Sequence, residues 1–106
     1  MPTFKARGHR GNWFARIGDD DVPCVWLQWR NGNHYLDPHG KGATDGKWVK
    51  YIEALRRDRK VALTGKHEKD GKWLRDGYIG LFEIANVAIT DQGLEFDFVR
   101  RIANLK

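Results

Sequence analysis

The stretch that decides the fold is GYIGLFEIANVAI, residues 77–89, followed by TDQG, residues 90–93, and LEFDF, residues 94–98. The first segment is the longest run of alternating apolar side chains, which predicts a long strand. The polar segment 90–93 predicts a turn. In the last segment Leu94, Phe96 and Phe98 alternate with two carboxylates, which predicts a strand with one buried and one solvated face.

Shorter strands are predicted upstream of this stretch. Alternation predicts strands at 11–17, 34–36 and 61–64, and the segment from Cys24 to Arg30 is apolar on both faces, as in a central strand. Residues 18–23 are predicted to be a polar loop. Residues 99–105 fit either a strand or a short helix.

Two glycine pairs predict hairpin turns. Asn31-Gly32 favours a type I′ turn, in which both central residues have positive φ. A two-residue loop there pairs Arg30 with Asn33, and in turn residues 29 with 34 and 28 with 35. Asp70-Gly71 is a second turn signal within a charged segment.

One helix is predicted at 45–58. Thr44 or Asp45 can cap its N-terminus. Trp48, Ile52 and Leu55 follow at helical spacing and form its apolar stripe. Trp48 is therefore expected in the core, and so is Trp26, which lies in the apolar segment from Cys24 to Arg30.

The predicted elements are about six strands and one helix in a single domain, residues 1–106. Short strands joined by glycine turns favour a mainly β (α+β) fold, a small closed or nearly closed antiparallel β-barrel. Closure also removes exposed edges from strands as apolar as these.

Composition limits the classes of function. The chain has 41% hydrophobic and 31% charged residues, as a soluble globular protein has. A single cysteine, Cys24, excludes an intramolecular disulfide and favours a cytoplasmic protein. We expect no membrane span, signal peptide or cofactor.

The net charge of +5 favours an acidic partner such as nucleic acid. The cations are concentrated at 1–16 and 56–75, on either side of the acidic run Asp19–Asp21. Phosphate contacts are predicted at seven of them: Arg7, Arg10, Arg16, Arg56, Arg57, Arg59 and Lys60.

Aromatic residues between these bases can stack on nucleobases. The chain has five Trp, a high number for 106 residues. Stacking is predicted for Trp29, Tyr35 or Trp73, and Trp73 is the Trp most expected to be exposed because it follows a turn in a charged segment.

The histidines offer an alternative site. His34, Asp37 and His39 lie within six residues, and His9 can join them only through folding. Metal sites need three or four such ligands to converge. The favoured prediction is that no metal is bound, and the alternative is a small metal-dependent hydrolase or nuclease.

Two segments carry a family resemblance. KVALT, residues 60–64, and GYIGLFEI, residues 77–84, resemble the V-x-L strand and the glycine-led strand of the PUA-like superfamily, which includes EVE- and ASCH-type modules. The resemblance extends over about residues 60–98, and the glutamate of the glycine-led pattern is Glu83. It implies a small β-barrel that reads nucleic acid or a modified base with an aromatic pocket and a basic rim.

The residues therefore predict a non-enzymatic module that binds DNA or RNA. Two other functions stay open at this point. One is a protein–protein interaction module, such as a phage- or plasmid-type inhibitor or accessory factor, whose basic regions meet an acidic surface. The other is the metal-dependent hydrolase.

Overall fold

Nine strands and one α-helix are found in residues 1–9, 13–41 and 45–106, the part of the chain that the structure, a computed structural model, describes. The strands are β1 (Thr3–Phe4), β2 (Ala6–His9), β3 (Phe14–Ile17), β4 (Asp20–Trp26), β5 (Arg30–Asn31), β6 (His34–Asp37), β7 (Lys60–Lys69), β8 (Lys72–Ile89) and β9 (Leu94–Leu105). The helix α1 is Gly46–Asp58, and two short 3-10 turns span Leu27–Trp29 and Pro38–Gly40.

Eight strands form one sheet in the order β2-β3-β4-β7-β8-β9-β6-β5, which curls into an open half-barrel. Most neighbours are antiparallel, but β4 pairs with β7 in parallel through a crossover that contains α1. β1 pairs in parallel with β9, and β2 pairs with β3 from Ala6 onward. The mainly β architecture is confirmed, whereas closure and the count of six strands are not.

Three of the nine strands are not predicted from the sequence, for a physical reason. β1, β2 and β5 are two to four residues long and have no run of alternating apolar side chains. Backbone pairing holds them: Asn104 N–H donates to the Pro2 carbonyl at 2.8 Å, and Ala6 N–H to the Lys106 carbonyl at 2.9 Å.

The apolar side chains form two clusters. The larger one joins Tyr51, Ala54 and Leu55 of α1 to residues of β3, β4 and β6–β9. The smaller one consists mainly of small side chains, for example Ala15 and Cys24. Its members come from β2–β4 and from β7, β8 and β9. Burial of both is the main stabilising contribution expected for a chain of this size.

Several predicted elements are confirmed. Asp45 caps α1 by accepting hydrogen bonds from the backbone N–H groups of Lys47 and Trp48, at 3.0 and 3.1 Å. Thr44, the other predicted cap, lies outside the described residues. Asp70 and Gly71 both have positive φ, 52° and 77°, in the turn between β7 and β8. Residues 90–93 form the second turn, and 99–105 continue β9 as strand.

The predicted hairpin at Asn31-Gly32 is displaced. Arg30 pairs with Tyr35 and Asn31 with His34, so the two-residue loop is 32–33. Residues 27–29 form a 3-10 turn and take no part in the pairing, because the chain leaves β4 after Trp26. The predicted acidic loop is also shorter than expected, since β4 begins at Asp20.

In the described residues, no helix is long and apolar enough to cross a bilayer.

Candidate functional site

An aromatic pocket of about 210 Å³ lies where β4 ends and α1 begins. Its walls come from the residue before β3, from β4, from α1 and from β7. The lining residues are Trp13, Cys24, Trp26, Trp48, Tyr51 and Lys66.

Three rings of the pocket are nearly perpendicular to one another. Trp13 and Trp48 have centroids 5.0 Å apart at an interplanar angle of 90°. Tyr51 meets Trp13 at 5.3 Å and 75°, and Trp48 at 5.8 Å and 87°. Edge-to-face contacts of this kind hold aromatic rings at fixed angles, so the three rings form a rigid corner.

The helix cap and the helix period position two of these rings. Asp45 fixes the start of α1, and Trp48 and Tyr51 follow three residues apart on one helical face. The Tyr51 hydroxyl donates a hydrogen bond to the Cys24 carbonyl, which joins α1 to β4. Burial raises the pKa of Tyr51 well above its usual value, so this hydroxyl keeps its proton.

The sheet positions the other two aromatic side chains. The Cys24 N–H donates to the Trp13 carbonyl at 2.9 Å, which places Trp13 beside β4. Trp26 is the last residue of β4 and pairs in parallel with Thr64 of β7. Both Trp side chains are half-buried.

A cation lies at the same pocket. The Lys66 ammonium is 4.1 Å from the centroid of the Trp26 ring, within the range of a cation–π interaction. Lys66 also begins the ribbon arm, which we define as residues 66–75 of β7, β8 and their turn. β4 pairs with β7 only as far as Thr64, and β9 pairs with β8 only from Gly80 onward, so the described arm extends beyond the sheet.

The predicted phosphate contacts fall into three places. Arg7 and Arg16 line one groove together with Lys5. Arg56 and Arg59 line a cavity of about 320 Å³ beside Asn86. Arg57 and Lys60 line a cavity of about 540 Å³ that also contains the carboxylates of residues 19–21, which repel a phosphate. Arg10 lies outside the described residues.

Two of the predicted stacking residues, Tyr35 and Trp29, do not line the pocket. Tyr35 is fully buried, stacks on Phe96 at 4.6 Å and accepts a hydrogen bond from the Trp26 N–H at 3.1 Å. No face of the Tyr35 ring is therefore accessible to a base. Side chains alternate between the two faces of β6, and Tyr35 lies on the face that packs into the core. Trp29 is half-buried and meets His39 edge-on at 5.5 Å. The side chain of Trp73 lies outside the described residues.

The predicted histidine cluster is divided between two faces of β6. Asp37 is buried and accepts hydrogen bonds from His39, from its N–H at 2.9 Å and its Nδ1 at 3.1 Å. His34 lies on the opposite face, since it is three positions away on the same strand. In the part of the chain that is described, no group of three or more His, Cys, Asp or Glu side chains is arranged to hold a metal ion. The side chain of His9 is not among those described.

His34 instead belongs to a charged network. Its Nδ1 is 2.8 Å from Asp97 and its Nε2 is 2.8 Å from Glu95. Only the protonated ring can donate from both nitrogens, so these hydrogen bonds raise the pKa of His34. Asn86 donates to Asp97 at 2.9 Å and lowers its pKa, and the Thr90 hydroxyl does the same for Glu95.

The residues of the aromatic pocket were missed as a group by sequence reasoning. The sequence predicts Trp26 and Trp48 in the core. Trp48 does pack against the larger core cluster, but both Trp side chains also line the pocket. The sequence does contain one signal, because the Asp45 cap fixes the start of α1 and the three-residue spacing then places Trp48 and Tyr51 on one helical face. No signal pointed to the parallel pairing that adds Trp26 and Lys66. Comparisons with family models, with curated proteins and with solved structures found no match for this chain.

Proposed function

We propose that this protein is a nucleic-acid-binding module that holds one unstacked base in the aromatic pocket. The observation that carries the proposal is the convergence of three Trp rings and one Tyr ring beside a lysine ammonium. Every base has a π-face, and stacking on aromatic side chains contributes about 1–3 kcal/mol per base.

The size of the pocket suits a small planar group. Its volume of about 210 Å³ is below the range of about 300–1,000 Å³ that is usual for drug-sized ligands. A single heterocyclic ring system therefore fits better than a whole nucleotide, and the sugar and phosphate remain outside.

The charges near the pocket match a phosphate backbone. Lys66 lies at the pocket, and the ribbon arm continues with Lys69 and Lys72, which are exposed and directly paired at its tip, although the arm also carries the exposed acids Glu68 and Asp70. These cations give binding a salt dependence, because each neutralised phosphate releases counterions.

The proposal includes a PUA-like relationship and a cytoplasmic location. Support for the first is that residues 60–64 and 77–84, the segments that carry the resemblance, pair with each other in β7 and β8. Support for the second is the single, buried Cys24 thiol, which suits a reducing compartment.

The test compares two tryptophans of similar burial. Trp48 and Trp29 are both half-buried and both pack against the larger core cluster, but only Trp48 lines the pocket. Binding of labelled single strands of about 12 nucleotides is measured by fluorescence anisotropy for the wild type, Trp48→Ala and Trp29→Ala. Duplex DNA and RNA are included as further ligands.

We expect Trp48→Ala to weaken single-strand binding by about tenfold or more, and Trp29→Ala to change it much less. A larger loss in Trp29→Ala moves the stacking site to Trp29 and overturns the pocket as the site. If the wild type binds no nucleic acid at low salt, the proposed function is wrong, and the protein-interaction module becomes the leading function.

A further inference from the structure

A second cationic site lies at the other end of β3 from the aromatic pocket. Lys5, Arg7, Arg16 and Gly18 line an open groove of about 270 Å³, which we call the basic groove. Three of its four lining residues are cations and none is an acid.

The register of the sheet forces two of these cations together. Arg7 on β2 is the direct antiparallel partner of Arg16 on β3, so both side chains leave the same face of the sheet. Like charges directly opposite each other destabilise a sheet. Lys5, two residues before Arg7, adds a third positive charge to the groove.

Arg16 is held in place from its other side. Its Nε lies 3.0 Å from the Asp21 carboxylate, and its Nη1 donates to the Asp19 carbonyl at 3.4 Å. Asp21 offsets one positive charge, which leaves the group of Lys5, Arg7, Arg16 and Asp21 at +2. An anion in the groove would offset the remaining repulsion, and the guanidinium fork of Arg matches the oxygens of a phosphate.

We propose that the basic groove binds a backbone phosphate of the same strand whose base enters the aromatic pocket. This inference rests on the proposed function and specifies its ligand as a polynucleotide rather than a mononucleotide. Trp13 immediately precedes β3 and Arg16 lies in it, so the backbones of these two residues are at most about 10 Å apart at 3.3 Å per residue.

The test removes one charge from the groove and, as a control, one charge from elsewhere. Arg7→Gln changes the groove. Arg100→Gln lowers the net charge equally, but Arg100 is an exposed residue of β9 that pairs with Glu83 at 3.3 Å. Affinities for a single strand of about 12 nucleotides and for a mononucleotide are measured between about 50 and 200 mM salt.

We expect Arg7→Gln to weaken binding of the long strand by about fivefold and to reduce the slope of log K against log salt by about 0.7. Binding of the mononucleotide should be unchanged, and Arg100→Gln should behave like the wild type. In urea, Arg7→Gln should be at least as stable as the wild type, because it relieves a like-charge pair.

The possible failures are distinguishable. If Arg7→Gln binds the long strand with wild-type affinity and slope, the inference is overturned and the proposed function stands. If Arg7→Gln and Arg100→Gln lose the same affinity, only general charge matters and the groove is not a site. If the wild type binds no strand of any length, the proposed function and this inference fail together.

Discussion

Two aromatic clusters in this molecule have similar chemistry and opposite exposure. The core cluster, Tyr35, Phe82, Phe96 and Phe98, is less than a tenth exposed at every member. The rings of the aromatic pocket are half-buried, apart from the buried Tyr51, and line a cavity that is open to solvent. Each cluster also has a cation over a ring: Arg30 lies 4.5 Å from the Phe98 centroid, as Lys66 lies over Trp26.

The difference lies in how completely each cluster is filled. Tyr35 and Phe96 stack at an interplanar angle of 15°, and Arg30 is fixed by a hydrogen bond from its Nε to the Gly32 carbonyl at 2.8 Å. Phe98 also meets Phe82 and Phe96 edge to face, at 77° and 67°, but these core rings are all buried, whereas the pocket rings line an open cavity. We infer that the core cluster contributes stability and that the pocket contributes binding.

The largest expected effect comes from breaking the core cluster. Phe96→Ala removes a fully buried ring, and we expect the free energy of unfolding to fall by about 3–5 kcal/mol. Trp48→Ala, in the pocket, should cost clearly less. Urea unfolding followed by circular dichroism measures both; equal losses would contradict the division of roles. If Phe96→Ala does not fold, Phe96→Leu gives the same comparison with a smaller loss.

A smaller effect is expected from the hydrogen bond that joins the two clusters. Tyr35→Phe removes the hydroxyl that accepts from the Trp26 N–H, and we expect a loss of about 1–3 kcal/mol. Since Trp26 lines the pocket, the affinity for single-stranded nucleic acid should fall as well. Unchanged stability in Tyr35→Phe would show that this hydrogen bond does not stabilise β4.

The smallest expected effect is a dependence of stability on pH, which comes from the exposed network of His34, Glu95 and Asp97. The raised pKa of His34 gives stability that is complete below its ordinary value of 6.5 and is lost as the pH rises through the higher folded value. The lowered pKa values of Glu95 and Asp97 give stability that is lost only as the pH falls below their ordinary values. The network therefore favours the folded state most at about pH 5–6.

This dependence is measured as the urea midpoint at about pH 5.5 and about pH 8.5. The wild type should lose more stability over this interval than His34→Gln, which cannot titrate. The effect should be modest, because the groups are largely exposed. A wild-type midpoint that changes no more than that of His34→Gln argues against the network.

Local chemistry predicted the parts of the fold that depend on neighbours in sequence. The Asp45 cap, the Asp70-Gly71 turn and the alternating segment 94–98 each follow from a few adjacent residues. The displaced hairpin shows the limit, because its loop is one residue beyond the Asn31-Gly32 pair and β6 is also paired along its length with the distant strand β9.

The aromatic pocket could not be predicted from such patterns. It depends on the parallel pairing of Trp26 with Thr64, which are 38 positions apart, and on a helix that crosses between them. An aromatic residue in an apolar strand or helix stripe has the same pattern whether it faces a core or a cavity. For this reason Tyr35, predicted to stack on a base, is fully buried, whereas Trp48, predicted in the core, both packs against the core and lines the pocket.

The pairing of β1 with β9 has a consequence for how the chain acquires its structure. Thr3 pairs with Asn104, about 100 positions along the chain, so this contact is among the most expensive in loop entropy. β2, which carries Arg7, begins two residues after β1 ends. During synthesis β1 can therefore take its place only after β9 has emerged, whereas the basic groove is built on the local pairing of β2 with β3.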